Sequence, residues 1–118
     1  MKKVILASVL AAAAAVSVDA QAAASAICTG GAAGQITIAS AASSFIKVGF
    51  TARCSNNIYS AGDDGGTYYR VGAASAKGKF AYSGSTMGGA ITPGGTSCAA
   101  TGCTASDAAN AVTNAASS

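Results

Sequence analysis

Apolar and polar residues alternate along the middle of the chain, most clearly between positions 45 and 54. The even positions from 46 to 54 hold isoleucine, valine, phenylalanine, alanine and cysteine, and the odd positions between them hold lysine, glycine, threonine and arginine. An extended strand places such residues on opposite faces, whereas a helix would scatter them around its axis. We therefore predict a strand over 45–54, with Cys54 on its core face and the disulfide of this cysteine in the interior.

Further runs with strand character follow along the chain. They lie at 35–38, from residue 58, at 67–73, at 79–83 and around 90–92. Clusters rich in Asn, Asp and Gly at 55–57 and 62–66 predict turns, because glycine adopts positive φ and Asp and Asn side chains bond the nearby backbone. Short strands separated by such turns are typical of antiparallel sheets. The sequence therefore predicts an all-β fold, a small disulfide-stapled antiparallel sandwich or meander.

The first 22 residues have the layout of a secretory signal peptide. Lys2 and Lys3 precede an apolar run over 4–18, and Ala20 and Ala22 supply small residues at the two positions that a signal peptidase reads. The run is too short and too rich in alanine for a stable membrane span. We expect export through the inner membrane, cleavage after Ala22, and an extracellular, cell-surface or otherwise periplasmic location, with no stable membrane span after cleavage. A retained anchor is less favoured.

The mature chain divides into a β-rich domain over 23–95 and a C-terminal segment over 96–118. This segment begins with a loop between two close cysteines and continues as a tail that consists mainly of Ala, Asn and Ser. Ser106 is a candidate N-cap for a short helix, because serine side chains accept hydrogen bonds from helix amides. We expect the tail to be flexible or weakly helical.

Four cysteines compensate for a thin core. Residues 23–118 contain no leucine, tryptophan, histidine or glutamate, and so small a domain needs cross-links or neighbours for its stability. Disulfides persist in exported proteins. Of three connectivities we favour Cys28 with Cys54 and Cys98 with Cys103. The first bridge would close a loop of about 27 residues and stabilise the folded protein by roughly 3 kcal/mol. Links between subunits and a zinc site are less favoured.

The residues that carry most enzymatic chemistry are missing. Without histidine the chain has no Ser–His or Cys–His nucleophile pair and no imidazole metal ligand. Asp63 and Asp64 adjoin in a segment flanked by glycines and are candidates for calcium, but a solvated turn is the favoured interpretation because further ligands are missing. We therefore predict a protein that is not an enzyme and has no catalytic residue, metal site or cofactor.

Five aromatic residues follow one another through the second half of the predicted sheet. They are Tyr59, Tyr68, Tyr69, Phe80 and Tyr82. They are candidates either for a face that stacks on a sugar or for core packing, and packing is favoured because the mature chain lacks leucine and tryptophan. The cations of residues 23–118 are scattered rather than clustered, which argues against a nucleic-acid partner.

The early Cys28, the alternating strand that ends at Cys54 and the Tyr- and Gly-rich continuation loosely resemble the layout of pilin-type and spore-coat-U-type secreted β-sandwich subunits. The resemblance covers residues 27–82 and rests on two cysteines and one strand pattern. It implies a subunit of an extracellular fibre or coat. Chaperone-assembled pilins carry a long alternating extension before their first cysteine, whereas here only residues 23–27 separate the predicted cleavage site from Cys28.

These observations favour a secreted structural or surface-interaction protein that binds itself, as a homo-oligomer or pilus-like fibre, or binds other cell-surface proteins. Small side chains on short strands leave strand edges accessible, and such edges recruit further strands. The main alternative is a monomeric secreted or periplasmic module that binds a glycan or an anionic ligand through the aromatic residues, Lys77 and Lys79. A small secreted toxin or bacteriocin is a further alternative.

Overall fold

The computed structural model describes residues 24–117, and the predicted signal peptide over 1–22 lies outside them. Within the described residues, seven strands and one helix follow one another. They are β1 (Ser25–Thr29), β2 (Gly34–Ile38), β3 (Phe50–Cys54), β4 (Ile58–Asp64), β5 (Tyr69–Ser75), β6 (Phe80–Ser85), β7 (Thr92–Ser97) and α1 (Ala105–Asn114). β7 thus runs across position 95, where the sequence suggested that the β-rich domain ends.

Five of the strands form one antiparallel sheet in the order β1–β4–β5–β6–β7, and β2 and β3 form a separate hairpin. From β4 to β7 each strand pairs with the next one along the chain, which makes this part of the sheet a meander. The architecture also contains two disulfides and one short helix. The prediction of a small all-β fold of antiparallel strands is confirmed at this level.

Helix α1 covers one face of the large sheet, where a flexible or weakly helical tail was expected. The side chain of Thr104 accepts a hydrogen bond from the amide of Asp107, and the Asp107 carboxylate accepts one from the amide of Thr104. This reciprocal capping box fixes the start of the helix. The N-cap is therefore Thr104 and not Ser106, because the carboxylate that completes the box lies three residues after Thr104.

The core between helix and sheet is built from small side chains. Its central cluster consists of Ala74, Ala81, Cys103, Ala108 and Ala111. The only large side chain that is fully buried among the described residues is that of Val112. Burying alanine contributes less than the roughly 1.5–3 kcal/mol of a buried Leu or Phe. The disulfide between Cys98 and Cys103 therefore reinforces a thin core where β7 leads into α1.

The β2–β3 hairpin lies against the opposite face of the sheet, at its β1 edge. A disulfide joins Cys28 of β1 to Cys54 of β3, which is the pairing favoured from the sequence. Cys28 is buried and Cys54 is half-buried, so the bond lies close to the interior. The two strands pair from Gly34 with Cys54 to Ile38 with Phe50. Residues 39–49 are consequently the connection between β2 and β3.

The strand predicted over 45–54 is shorter in the structure and begins at Phe50. The backbone amides of Phe45 and Ile46 donate hydrogen bonds to the carboxylate of Asp64. They are therefore not available to a ladder between strands, and Val48 and Phe50, which the pattern placed on the core face, are exposed. Residues 45–49, the first half of the alternating pattern, therefore lie in a loop that the side chain of Asp64 anchors.

Candidate functional site

Asp63 and Asp64, the adjacent carboxylates at the end of β4, lie on opposite faces of the sheet. The solvated turn predicted over 62–66 is corrected, because β4 continues to Asp64 and the turn follows it, where the amide of Gly65 donates to the carbonyl of Tyr68. Neighbouring residues of a strand alternate between faces. The two carboxylates therefore do not converge on one calcium ion.

Asp63 is buried beneath α1 and forms an ion pair with Arg70. Only 2% of Asp63 and 7% of Arg70 are exposed. The Nε of Arg70 donates to Oδ2 of Asp63 at 2.9 Å, and its Nη2 donates to the same oxygen. Nη1 donates to the carbonyl of Ala115 at 3.4 Å, just beyond the last turn of α1, where a cation interacts favourably with the helix dipole. The pair is structural and links the sheet to the end of the helix.

Sequence reasoning missed this ion pair, although the chain carries a signal for it. The hairpin of β4 and β5 is symmetric about the bond between Gly66 and Thr67, which places Asp63 directly opposite Arg70. Oppositely charged residues that face each other across two antiparallel strands stabilise the pairing. A turn centred on the bond between Gly66 and Thr67, rather than on 62–66, would have predicted the contact.

Asp64 anchors the connection between β2 and β3 from the other face. Its Oδ1 accepts hydrogen bonds from the amides of Phe45 at 2.6 Å and Gly66 at 2.9 Å, and its Oδ2 accepts one from the amide of Ile46 at 3.1 Å. Desolvation raises the pKa of Asp64, but the three amides and the charge of Lys47 outweigh it and hold the pKa below its ordinary value of 3.8. Asp64 therefore holds the loop as an anion at neutral pH.

A cavity of about 310 Å³ separates the hairpin from the sheet. Its apolar lining includes Ile27, Ile36 and Ile38, and Asp64 and Tyr69 are among its polar residues. Burial raises the pKa of Tyr69, and the two carboxylates of β4 raise it further, so the phenol is neutral at physiological pH. Both oxygens of Asp64 already accept hydrogen bonds, and the cavity therefore offers a ligand mainly apolar surface and hydroxyl groups.

The structure does not bring the five aromatic residues together in one site. Tyr59 packs against the core beneath the helix. The ring of Tyr68 lies under the buried guanidinium, 5.2 Å from it, and Tyr69 lines the hairpin cavity. Phe80 and Tyr82 occupy alternate positions of β6 and lie on the same face of that strand. Only these last two stand together with their side chains open to solvent.

The β5–β6 part of the sheet is uncovered on the side away from α1. Val71 and Ala73 of β5 and Phe80 and Tyr82 of β6 lie there, and we call these four residues the open face. Ala73 pairs with Tyr82 across the two strands, which places the four side chains on one side. Val71 is 42%, Phe80 44% and Tyr82 48% exposed. Large contiguous apolar patches on a protein surface are often functional, whereas single exposed side chains are ordinary.

A shallow groove of about 500 Å³ crosses the open face. Ile58, Ala73, Phe80 and Tyr82 contribute apolar surface to it, and Lys79 is the charged residue in its lining. Lys79 immediately precedes β6, and its carbonyl accepts a hydrogen bond from the amide of Cys98 at 2.8 Å. That bond fixes the backbone from which the lysine side chain extends, and so places one cation beside an apolar trough.

The three carboxylates of residues 24–117 are all engaged in internal contacts. Asp63 pairs with Arg70, Asp64 holds the hairpin loop, and Asp107 completes the cap of α1. Four cations, in contrast, are exposed and form no salt bridge with a described residue. They are Lys47, Arg53, Lys77 and Lys79. The exposed charge of the described chain is therefore predominantly cationic.

Within residues 24–117, one group of side chains brings potential metal-ligand atoms close together, and it consists of Cys98, Cys103 and Asp107. The two sulfurs are bonded to each other, and the thiolate rather than a disulfide sulfur is the metal ligand. The carboxylate of Asp107 is hydrogen-bonded to Thr104. The group is the structural joint between β7 and α1.

Comparison of the chain with protein-family models, with curated proteins and with solved structures finds no match. The resemblance to pilin-type and coat subunits therefore stays a prediction that rests on two cysteines and one strand pattern. No helix between residues 24 and 117 is long and apolar enough to cross a membrane.

Proposed function

We propose that this protein is a secreted, non-enzymatic surface-interaction protein that binds its partner through the open face. The observation that carries the proposal is the joint exposure of Val71, Phe80 and Tyr82 on a sheet whose other face is covered by α1. Covering such surface yields about 25 cal/mol per Å² of apolar area removed from water. The described carboxylates are engaged elsewhere and the sequence has no histidine, so binding is better supported than catalysis.

The edges of the sheet are less suited to recruiting a partner than the open face. β1 is interrupted by a bulge between Ala26 and Cys28, and the disulfide to Cys54 ties it to the hairpin. β7, at the other edge, contains Pro93, which has no amide to donate to a further strand. Bulges and prolines are devices by which sheets avoid edge-to-edge pairing. Docking on the open face is therefore favoured over strand addition.

Self-association, as in a filament, pilus-like fibre or coat, is a second candidate, and the extent of the apolar surface favours it. Ile91 is 76% exposed and lies beside Gly84, which pairs with Val71. It extends the open face toward β7. Homo-oligomers bury apolar patches of this kind between identical copies, and a second copy would cover Ile91 together with the open face.

The molar mass of the oxidised mature chain, residue 23 onward, tests both candidates when measured by light scattering across a concentration series. We compare the unmodified chain with Tyr82→Ser in the open face and with Val48→Ser, which changes a residue that is 80% exposed but lies in the hairpin loop. A mass that rises with concentration and is reduced only by Tyr82→Ser would support self-association through the open face. A single-subunit mass throughout would exclude self-association and leave a different molecule as partner. Association that Tyr82→Ser does not reduce would contradict the open face as the interaction surface.

A further inference from the structure

We propose that the groove binds a single anionic amphiphile, with the apolar chain along Ala73, Phe80 and Tyr82 and the carboxylate or phosphate head group at Lys79. This inference rests on the proposed function and names the chemistry of the partner. The ligand is a soluble, monomeric amphiphile and not the surface of a membrane. No bond is made or broken in the process.

The size and surface of the groove suit an alkyl or aryl chain. Its volume of about 500 Å³ falls within the range of small-molecule sites, which are mostly apolar clefts of roughly 300–1,000 Å³ with a few polar groups. The trough is open along one side, because Phe80 and Tyr82 stay about half exposed. A flexible chain can lie along the trough between these rings without entering the core.

The charges around the groove select an anion. Lys79 is the charged residue of its lining, and it has no salt-bridge partner among the described residues. Asp63 lies under α1 on the opposite face, Asp107 caps that helix, and Asp64 is bound to the hairpin loop. A head group at Lys79 would therefore meet an attractive charge with no described carboxylate beside it, whereas a cationic head group would be repelled.

A second copy of the chain is a poorer occupant of the groove than an anionic ligand. In a two-fold dimer that pairs the open faces, the same patch of both copies forms the interface. The Lys79 side chains of both copies would therefore lie at that apolar interface. No carboxylate of the described chain lies at the groove to compensate, and burying an unpaired charge is costly. An anionic head group removes that cost, because it pairs with Lys79 at the solvent-exposed rim.

Residue-resolved NMR titration of the oxidised mature protein tests the proposal. The probes are dodecyl phosphate, the uncharged dodecyl maltoside and the cationic dodecyltrimethylammonium, each kept below its micelle concentration. We expect dodecyl phosphate to give saturable, single-site shifts at Ala73, Lys79, Phe80 and Tyr82, and to bind at least about threefold more tightly than the uncharged probe. Equal affinity for the charged and uncharged probes would overturn the anionic class but would leave the open face as a binding surface.

Three variants distinguish the contribution of the Lys79 charge to binding from that of the apolar trough. Lys79→Gln should weaken binding of dodecyl phosphate by about threefold to tenfold and leave the uncharged probe unaffected. Arg53→Gln removes an exposed cation from β3, outside the groove, and should change neither. Ala73→Glu places a carboxylate in the trough and should weaken the anion most. All three positions are exposed, and unchanged amide spectra away from the substitution verify the fold.

Three results would overturn the proposal. The first is an affinity for dodecyl phosphate that Lys79→Gln does not change. The second is a set of shifts at the hairpin cavity, around Ile36 and Ile38, in place of the groove. The third is binding to phosphatidylglycerol vesicles without binding to monomeric dodecyl phosphate, which would identify a membrane surface as the partner. If the chain self-associates, Tyr82→Ser does not reduce that association and no probe shifts the open face, the proposed function fails as well.

Discussion

Gly72 of β5 lies directly beneath Ala108 of α1, so closely that a methyl group on Gly72 would collide with the carbonyl oxygen of Ala108. The side chain and amide of Val112 lie at the edge of the same space. The helix can rest on the sheet only because this position has no side chain. The close approach brings the alanines of the helix and the sheet into contact, and it positions α1 over one face, while the β5–β6 part of the other face stays open.

Substitution of Gly72 by alanine should therefore destabilise the protein strongly for so small a change. Overpacking of a core costs about 1–3 kcal/mol, which lowers the melting temperature of a domain of this size by roughly 4–8 °C per kcal/mol. The matched control is Gly84→Ala in β6, where the added methyl would lie 3.4 Å from Ile91, an ordinary contact. Thermal unfolding should separate the two variants, and equal melting temperatures would contradict the close packing of helix on sheet.

Removal of one partner of the Asp63–Arg70 pair alone should greatly lower the free energy of unfolding. Asp63→Asn leaves the guanidinium of Arg70 buried without its counter-charge, and breaking a buried pair in this way costs about 3–5 kcal/mol. Replacing both residues, as Asp63→Leu with Arg70→Met, should restore much of that stability because no unpaired charge is left. Urea unfolding of the single and double variants measures the difference. A double variant that is less stable than Asp63→Asn would refute this account of the pair.

The anchoring of the hairpin loop by Asp64 should weaken in acid. Its pKa is lowered in the folded protein, so its stabilising effect is fully present above the ordinary value of 3.8 and is lost as the pH falls through the lower folded value. The amide proton shifts of Phe45, Ile46 and Gly66 should titrate together with a midpoint below 3.8. Asp64→Asn should abolish that titration. A midpoint at or above 3.8 would show that the amides do not stabilise the carboxylate.

The two disulfides should contribute unequally to the free energy of unfolding. Removal of the Cys28–Cys54 bridge as a pair of alanine substitutions should cost about 3 kcal/mol, and removal of the Cys98–Cys103 bridge about 2 kcal/mol, because the second closes a much shorter loop. The short bridge should act locally, since it joins β7 to α1. Hydrogen exchange should accelerate first at Ala111 and Val112 in that variant. Uniform acceleration across the sheet would contradict a local role.

Much of the framework could be predicted from the sequence because it depends on local patterns. The β-branched pair Ile36 and Ile38 predicted β2, and the closeness of Cys98 to Cys103 indicated their pairing. Phe80 and Tyr82 were correctly placed in one strand. Alternation is a property of neighbouring residues, and it requires no knowledge of the fold.

The rest depended on contacts between distant residues. Phe45 and Ile46 continue the alternating pattern, but their amides bond to Asp64, which lies far along the chain. The sequence did not distinguish helix α1 from a flexible tail, because the buried face of the helix consists mainly of Ala108 and Ala111, whose small side chains give only a weak hydrophobic pattern. The open face could not be predicted either, since which side of a strand the helix covers is decided by the whole fold.

The solvent accessibility of the open face in a monomeric sample shows most directly whether this face is free to bind a partner. A soluble neutral paramagnetic probe should strongly broaden the NMR signals of Val71, Phe80 and Tyr82, while Val112, which is fully buried, should be protected. The sample must be dilute enough for light scattering to report a single subunit. If Phe80 and Tyr82 are as protected as Val112 in that sample, part of the chain itself covers this face, and the open face is not the interaction surface.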